Sequence, residues 1–172
     1  MLSSGYDHDL SLLTLCSPLQ MSRSVSPVCL PPLPPSSYTG VLATVSGWGS
    51  LSFGGFFPAR LMGVNVTVID NTECYEAYDP YGAITDSMIC ARDEGKDSCQ
   101  GDSGGIIFSM IYSIAPCTGP LITMEASGYY SLIGVANNGY KCAEPLYPGV
   151  YARVTQYLPW IKENIKGTTC DA

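Results

Sequence analysis

Histidine is nearly absent from this chain: one residue, His8, stands among 172. That excludes a histidine-rich metal centre and leaves a single imidazole for acid–base work. Charge is scarce as well, at 13% of residues, and its balance is acidic: 8 Lys and Arg against 15 Asp and Glu, a net charge of −7. With a pI near 4.4 the surface repels phosphate backbones, so no nucleic-acid partner is expected. No uninterrupted apolar run reaches the ~18 residues of a membrane span, so no membrane partner is expected either. Internal repeats and low-complexity tracts are missing, which excludes solenoids and compositional linkers. The first eight residues, Met1-Leu2-Ser3-Ser4-Gly5-Tyr6-Asp7-His8, have neither the basic flank nor the apolar core of an export signal.

What is present points elsewhere. Apolar residues make up 46% of the chain and mean hydropathy is +0.15, enough for a real core and against general disorder. The length fits one domain but is short of the ~200–250 residues common for all-β barrel proteins. Eight cysteines are heavy usage. None are spaced as zinc ligands, so no metal or other cofactor is expected and disulfides in an oxidising compartment are the better reading. Secretion is therefore expected from the cysteines, although the N-terminus supplies no signal for it. Asn65-Val66-Thr67 is a glycosylation acceptor pattern, but it lies in a run of Val64, Val66, Val68 and Ile69 that reads as strand.

Along the chain, Leu10 to Leu15 reads as an apolar strand. In Cys29-Leu30-Pro31-Pro32-Leu33-Pro34-Pro35-Ser36-Ser37 the four prolines lack backbone donors, so the stretch cannot join a central sheet and reads as a connector. From Val41, short β-rich runs alternate with turn residues: 41–48, 61–69, 105–112, 129–136 and 149–154. That pattern predicts an antiparallel sandwich or barrel. Asp70-Asn71-Thr72-Glu73 has the form of a capping box opening a short helix that carries Cys74 and Tyr78. A last helix is expected over Tyr157–Lys166, with Leu158, Ile161 and Ile165 on one face and Pro159 in its first turn.

The chemistry is concentrated in Asp97-Ser98-Cys99-Gln100-Gly101-Asp102-Ser103-Gly104-Gly105. A hydroxyl becomes a useful nucleophile only when a base takes its proton and something stabilises the oxyanion. Glycines on both sides of Ser103 let the backbone turn sharply and present amide N–H groups there. Gly-Asp-Ser-Gly alone also makes ordinary turns; the nine-residue string is far more specific.

This string resembles the nucleophile loop of the trypsin-like (chymotrypsin-fold) serine proteases, whose triad roles are a known template. Ser46-Gly47-Trp48-Gly49, Met88-Ile89-Cys90-Ala91, Pro148-Gly149-Val150-Tyr151 and Trp160-Ile161 follow in the family's order. Asp9-Leu10-Ser11-Leu12-Leu13 is similar to the segment holding the triad aspartate. The resemblance implies an all-β fold: an antiparallel six-stranded β-barrel, the second barrel of the trypsin-like fold. A first-barrel remnant at 1–30, a connector at 31–40, the barrel at 41–155 and a C-terminal α-helix and tail at 156–172 would complete the chain.

It also implies roles. Ser103 would be the nucleophile, Asp9 the triad acid, and the N–H groups of Gly101 and Ser103 the oxyanion hole. Asp97, with Ser98, Gly139 and Gly149, would form a pocket for Arg or Lys of a protein substrate. Asp102 would receive the N-terminal ammonium released on activation. Cys74–Cys90 and Cys99–Cys142 would be disulfides, and Cys29 matches a position that links relatives to an upstream segment. Cys16, Cys117 and Cys170 are left without an assigned partner. Ala43 and Ser109 sit where many relatives have a further bridge.

Several positions depart from the family pattern. The histidine base of the family lies upstream of the aspartate segment, in a region missing here. His8 directly precedes Asp9, so on an extended strand it points to the opposite face and is not expected to be the base. Asn137-Asn138-Gly139 replaces Ser-Trp-Gly, with Asn137 still expected to reach towards Asp9, and Ile106 replaces a proline. The segment 109–130 is longer than the usual hairpin and reads as a surface insertion. The expected function is a secreted trypsin-like endopeptidase, here an N-terminally incomplete chain, inactive and poorly soluble alone. The alternative is a non-catalytic protease homologue acting as a binding or regulatory module.

Overall fold

The computed structural model describes residues 7–79, 84–95, 97–99, 101–102 and 120–165. Six strands close into an antiparallel barrel: β1 (Leu42–Gly47), β2 (Met62–Ile69), β3 (Met88–Arg92), β4 (Pro120–Met124), β5 (Tyr130–Asn138) and β6 (Gly149–Arg153). Their order around the barrel is β1-β2-β3-β6-β5-β4. Closure removes the free sheet edges that six short strands would otherwise expose.

Alternation selects the inner face. On β2, Val66 and Val68 are buried whereas Asn65 is exposed, and they meet Val45, Ile89, Leu121, Ile133 and Tyr151 in the barrel core. The acceptor pattern at Asn65 therefore lies within a strand, on its outer side. β3 is different, because Met88, Ile89, Cys90 and Ala91 are all buried. Ile89 and Ala91 face the barrel interior, while Met88 and Cys90 pack under α1 (Asn71–Tyr78) with Cys74, Tyr78 and Val150.

The capping box forms in part. The Asp70 carboxylate accepts from the Thr72 N–H at 2.8 Å, capping α1, but Glu73 turns away to pair with the Arg92 guanidinium on β3. The second helix, α2 (Val154–Asn164), starts three residues before the expected Tyr157. Pro159 consequently lies in its second turn, where it removes the N–H that would reach the Thr155 carbonyl.

Two sequence expectations are revised. Leu10–Leu15 forms no strand: no described strand offers it a ladder partner, and Leu12, Leu13 and Leu15 are exposed. Leu10 alone is held, against the Val154, Leu158 and Ile161 cluster of α2. The segment 109–130 is not all surface insertion, because β4 lies within it and Leu121 is fully buried. Proline is accommodated there as the first residue of the strand. The strand expected at 105–112, with Ile106, lies outside the described residues, as does Ser109. The register Val45↔Leu121 and Thr44↔Ile122 carries Ala43 opposite Thr123, whose hydroxyl donates to the Leu42 carbonyl at 2.9 Å. Thr123 thus faces Ala43 across this pair of strands.

The connector stays out of the sheet, as its prolines require, but it is anchored. Cys29 exchanges backbone hydrogen bonds with Tyr130 and Leu132 on β5. Tyr38 inserts into the barrel core, with its hydroxyl donating to Glu125 at 2.7 Å.

Candidate active site

The site is assembled where four segments converge: the turn after β1, the loop 97–102, the end of β5 and the loop leading into β6. The Cys99–Cys142 disulfide, with Cα atoms 5.1 Å apart, joins the second of these to the fourth. The Cys74–Cys90 disulfide ties α1 to β3 behind them. Both pairs are those implied by the resemblance. Cys16 is free and exposed. Cys29 is buried and disulfide-bonded, so a link from it to an upstream segment would require that bond to be exchanged; Cys117 and Cys170 lie outside the described residues.

Asp97 lines a cavity of about 190 Å³ together with Ser98, Cys99, Asp102, Asn137, Gly139 and Cys142. Its carboxylate is partly buried and accepts from the Ser98 N–H at 2.7 Å and the Ala143 N–H at 3.2 Å. Burial pushes its pKa up to about 6, and the nearby Asp102 carboxylate adds to the rise, while the two N–H groups oppose it. At neutral pH Asp97 is therefore an anion in a confined space with no cation bonded to it among the described residues. An anion so placed attracts cationic groups.

The surroundings of Asp97 are tightly packed. A Cβ on Gly149 would run into the Asp97 carboxylate and lie 3.0 Å from the Tyr151 hydroxyl, so glycine is required there by close approach. Gly139 is less constrained, its nearest neighbour being the Lys141 carbonyl at 3.6 Å. Tyr78, from α1, fastens the wall: its hydroxyl donates to the Pro148 carbonyl at 2.7 Å and accepts from the Tyr140 N–H at 3.2 Å. Burial raises the Tyr78 pKa to about 12, which keeps this bridging hydroxyl protonated.

The turn ahead of Ser103 is locked. Gly101 adopts φ +94°, in the left-handed region that favours glycine. A Cβ there would sit 2.7 Å from the Phe57 ring and 3.2 Å from Gly49 Cα. Asp102 accepts from the Gly49 N–H and the Cys99 N–H, each at 2.9 Å. Its carboxylate is thus held by two backbone amides. Ser103 lies outside the described residues.

The leading segment brings His8 against the first turn of α2. Asp9 is exposed. His8 has φ +57°, so this stretch is a turn and not the extended strand expected. The His8 Nδ1 atom lies 3.2 Å from the Tyr157 hydroxyl, and Nε2 lies 3.8 Å from the Asp7 carboxylate. Both ring nitrogens are turned towards these neighbours. Asp7 in turn accepts from the hydroxyls of Ser87 and Thr85, which, with Ser87 the larger influence, hold its pKa below the usual carboxylate value.

A family model described as Trypsin matches residues 2–161. The chain belongs to the trypsin family. It is 40% identical over 162 residues to the serine protease filzig of Drosophila melanogaster, covering 91% of this chain and 9% of that protein. It is 41% identical over 162 residues to Trypsin-1 of Astacus astacus, covering 92% of this chain and 60% of that protein. Trypsin alpha-4 of Lucilia cuprina is 39% identical over 155 residues, with shares of 90% and 52%. This trypsin-family chain therefore spans between 9% and 60% of the length of these relatives.

Three residues that line the Asp97 cavity are not marked by the sequence as site residues: Phe53, Ala136 at the end of an expected strand, and Lys141. Phe53 left a usable signal: three of the chain's four phenylalanines fall at 53, 56 and 57. All three are exposed there, beside the glycine turn that Phe57 touches. Lys141 left none, because its place in the cavity follows from a left-handed backbone at φ +61° that composition does not reveal.

Proposed function

We propose that this chain carries the nucleophile and specificity pocket of a trypsin-like serine endopeptidase that cleaves proteins after Arg or Lys. In this reading Ser103 attacks the scissile carbonyl, and the Gly101 and Ser103 N–H groups bind the oxyanion. Asp9 orients the base. Asp97, with Ser98, Gly139 and Gly149, receives the basic side chain, and Asp102 exchanges its amide partners for an N-terminal ammonium on activation. The observation that carries the proposal is the partly buried Asp97 anion in the cavity it lines with Ser98 and Gly139. The disulfides of the domain support an oxidising, extracellular location.

The base has to be an imidazole other than His8, whose ring is turned to Asp7 and Tyr157. The same observation favours a second reading, a secreted homologue that binds basic peptides without cutting them. The test joins this chain to a histidine-bearing first-barrel segment from the Astacus trypsin and follows hydrolysis of arginyl and lysyl peptide anilides. The expected outcome is hydrolysis after both residues, reduced at least ~10⁴-fold by Ser103→Ala. Peptide binding with no hydrolysis would favour the homologue, and hydrolysis surviving Ser103→Ala would remove Ser103 from its role.

A further inference from the structure

The cavity that holds Asp97 also has a cation of its own on its lining, Lys141. The backbone brings the two close. Lys141 and Ala143 flank the disulfide-bonded Cys142, and both have positive φ, +61° and +54°. The tight path they make puts the Ala143 N–H on the Asp97 carboxylate at 3.2 Å. Lys141 is thus two residues from a direct contact with the pocket anion. Left to itself, a flexible ammonium in that position would take Asp97 as its counterion.

It is instead held aside. The Lys141 Nζ atom lies 3.0 Å from the Glu144 carboxylate and 5.5 Å from the centre of the Tyr140 ring, within range of a cation–π contact. Tyr140 is itself packed on Tyr147, with ring centres 4.7 Å apart. Glu144 and the two tyrosines therefore form a bracket for the ammonium at the rim.

We infer that Lys141 is a specificity-determining residue of the Asp97 pocket, a resident cation that competes with the ligand unless Glu144 holds it at the rim. The inference rests on the proposed cation pocket and deepens it. The ion pair is half exposed, its side chains being 45% and 36% accessible, so it holds the ammonium only modestly. The pocket is accordingly tuned to moderate affinity, with Glu144 setting how far the competitor is withdrawn.

The test measures benzamidine, an aromatic amidinium cation, by calorimetric titration of the full chain and its variants. Glu144→Gln frees the lysine and is expected to weaken binding by roughly threefold to fivefold, the factor an exposed ion pair supplies. Lys141→Gly, which suits the positive φ, is expected to tighten binding, and Lys141→Gln, which keeps the side-chain length, to do so as well. In the Lys141→Gly background, Glu144→Gln should have no further effect. Equal weakening by Glu144→Gln in both backgrounds would overturn the inference, since Glu144 would then act on the ligand directly. No tightening from either Lys141 variant would also overturn it. Thermal melts of each variant identify any that fail to fold, and the two Lys141 variants back each other up. Benzamidine binding that Asp97→Asn leaves unchanged, or that is undetectable in every variant, would fell the cation pocket itself and this inference with it.

Discussion

In the barrel, Leu121 is fully buried between β1 and β5, whereas in the leading segment Leu13 and Leu19 are 64% and 53% exposed. Both regions are rich in the same side chains, so hydrophobicity does not separate them. Ladder partners do. Strands β1, β4, β5 and β6 each find antiparallel neighbours on both sides, which places alternate side chains in one core. Residues 11–28 have only the isolated Ser22–Val25 bridge, and their leucines stay in solvent. The sharpest way to break this contrast is truncation inside the barrel. Leu121→Ala should cost ~3 kcal/mol, within the range for leucine deletions in well-packed cores, read as a shift in the urea midpoint at unchanged slope.

The second contrast is electrostatic. Most carboxylates of the chain are on the surface, while Asp97 is drawn into the pocket and its pKa is raised from 3.8 to about 6 by burial. Between about pH 4 and about pH 6 the folded chain therefore binds more protons than the unfolded one. The contribution of Asp97 to stability is then most favourable at low pH, falls as pH rises through this window and is level above it. The loss is on the order of 1–3 kcal/mol. Asp97→Asn should flatten that part of the stability-versus-pH curve. It should also abolish the rise in benzamidine affinity that ionisation of Asp97 produces across the same interval. A pH profile identical in wild type and Asp97→Asn would show that this carboxyl is solvated like the others.

Much of this was legible from the residues, and what was not has identifiable causes. Strands β1, β2, β5 and β6 announced themselves by β-branched alternation between turn residues. β4 was hidden because it begins at Pro120, a residue that argues against strands except at their first position. The apolar run after Gly105 offered a more obvious candidate. Leu10–Leu15 was misread for the opposite reason: local pattern cannot report whether a partner strand exists. For the site, Asp97, Asp102 and the paired cysteines were readable only through the resemblance in motif order. The Tyr78 bridge between Pro148 and Tyr140, and Lys141 at the pocket rim, depend on contacts between residues far apart in the chain or on a left-handed backbone. Neither leaves a periodic trace.

The smallest expected effect tests the comparison from its other side. If the leading segment contributes little to folding, replacing Leu12, Leu13 and Leu15 together by Ser should leave the urea midpoint nearly unchanged, each substitution falling within ~0.5 kcal/mol. Leu10 is left in place because it packs on α2. The same leucines are exposed at 37%, 64% and 42% within four residues of one another, and clustered exposed apolar side chains favour association. The triple variant should therefore remain monomeric to higher concentration than the parent chain in size-exclusion chromatography. A large loss of stability would mean that these leucines are covered in the folded molecule. An unchanged elution profile would place the sticky surface elsewhere, with Phe53, Phe56 and Phe57 as the next residues to replace.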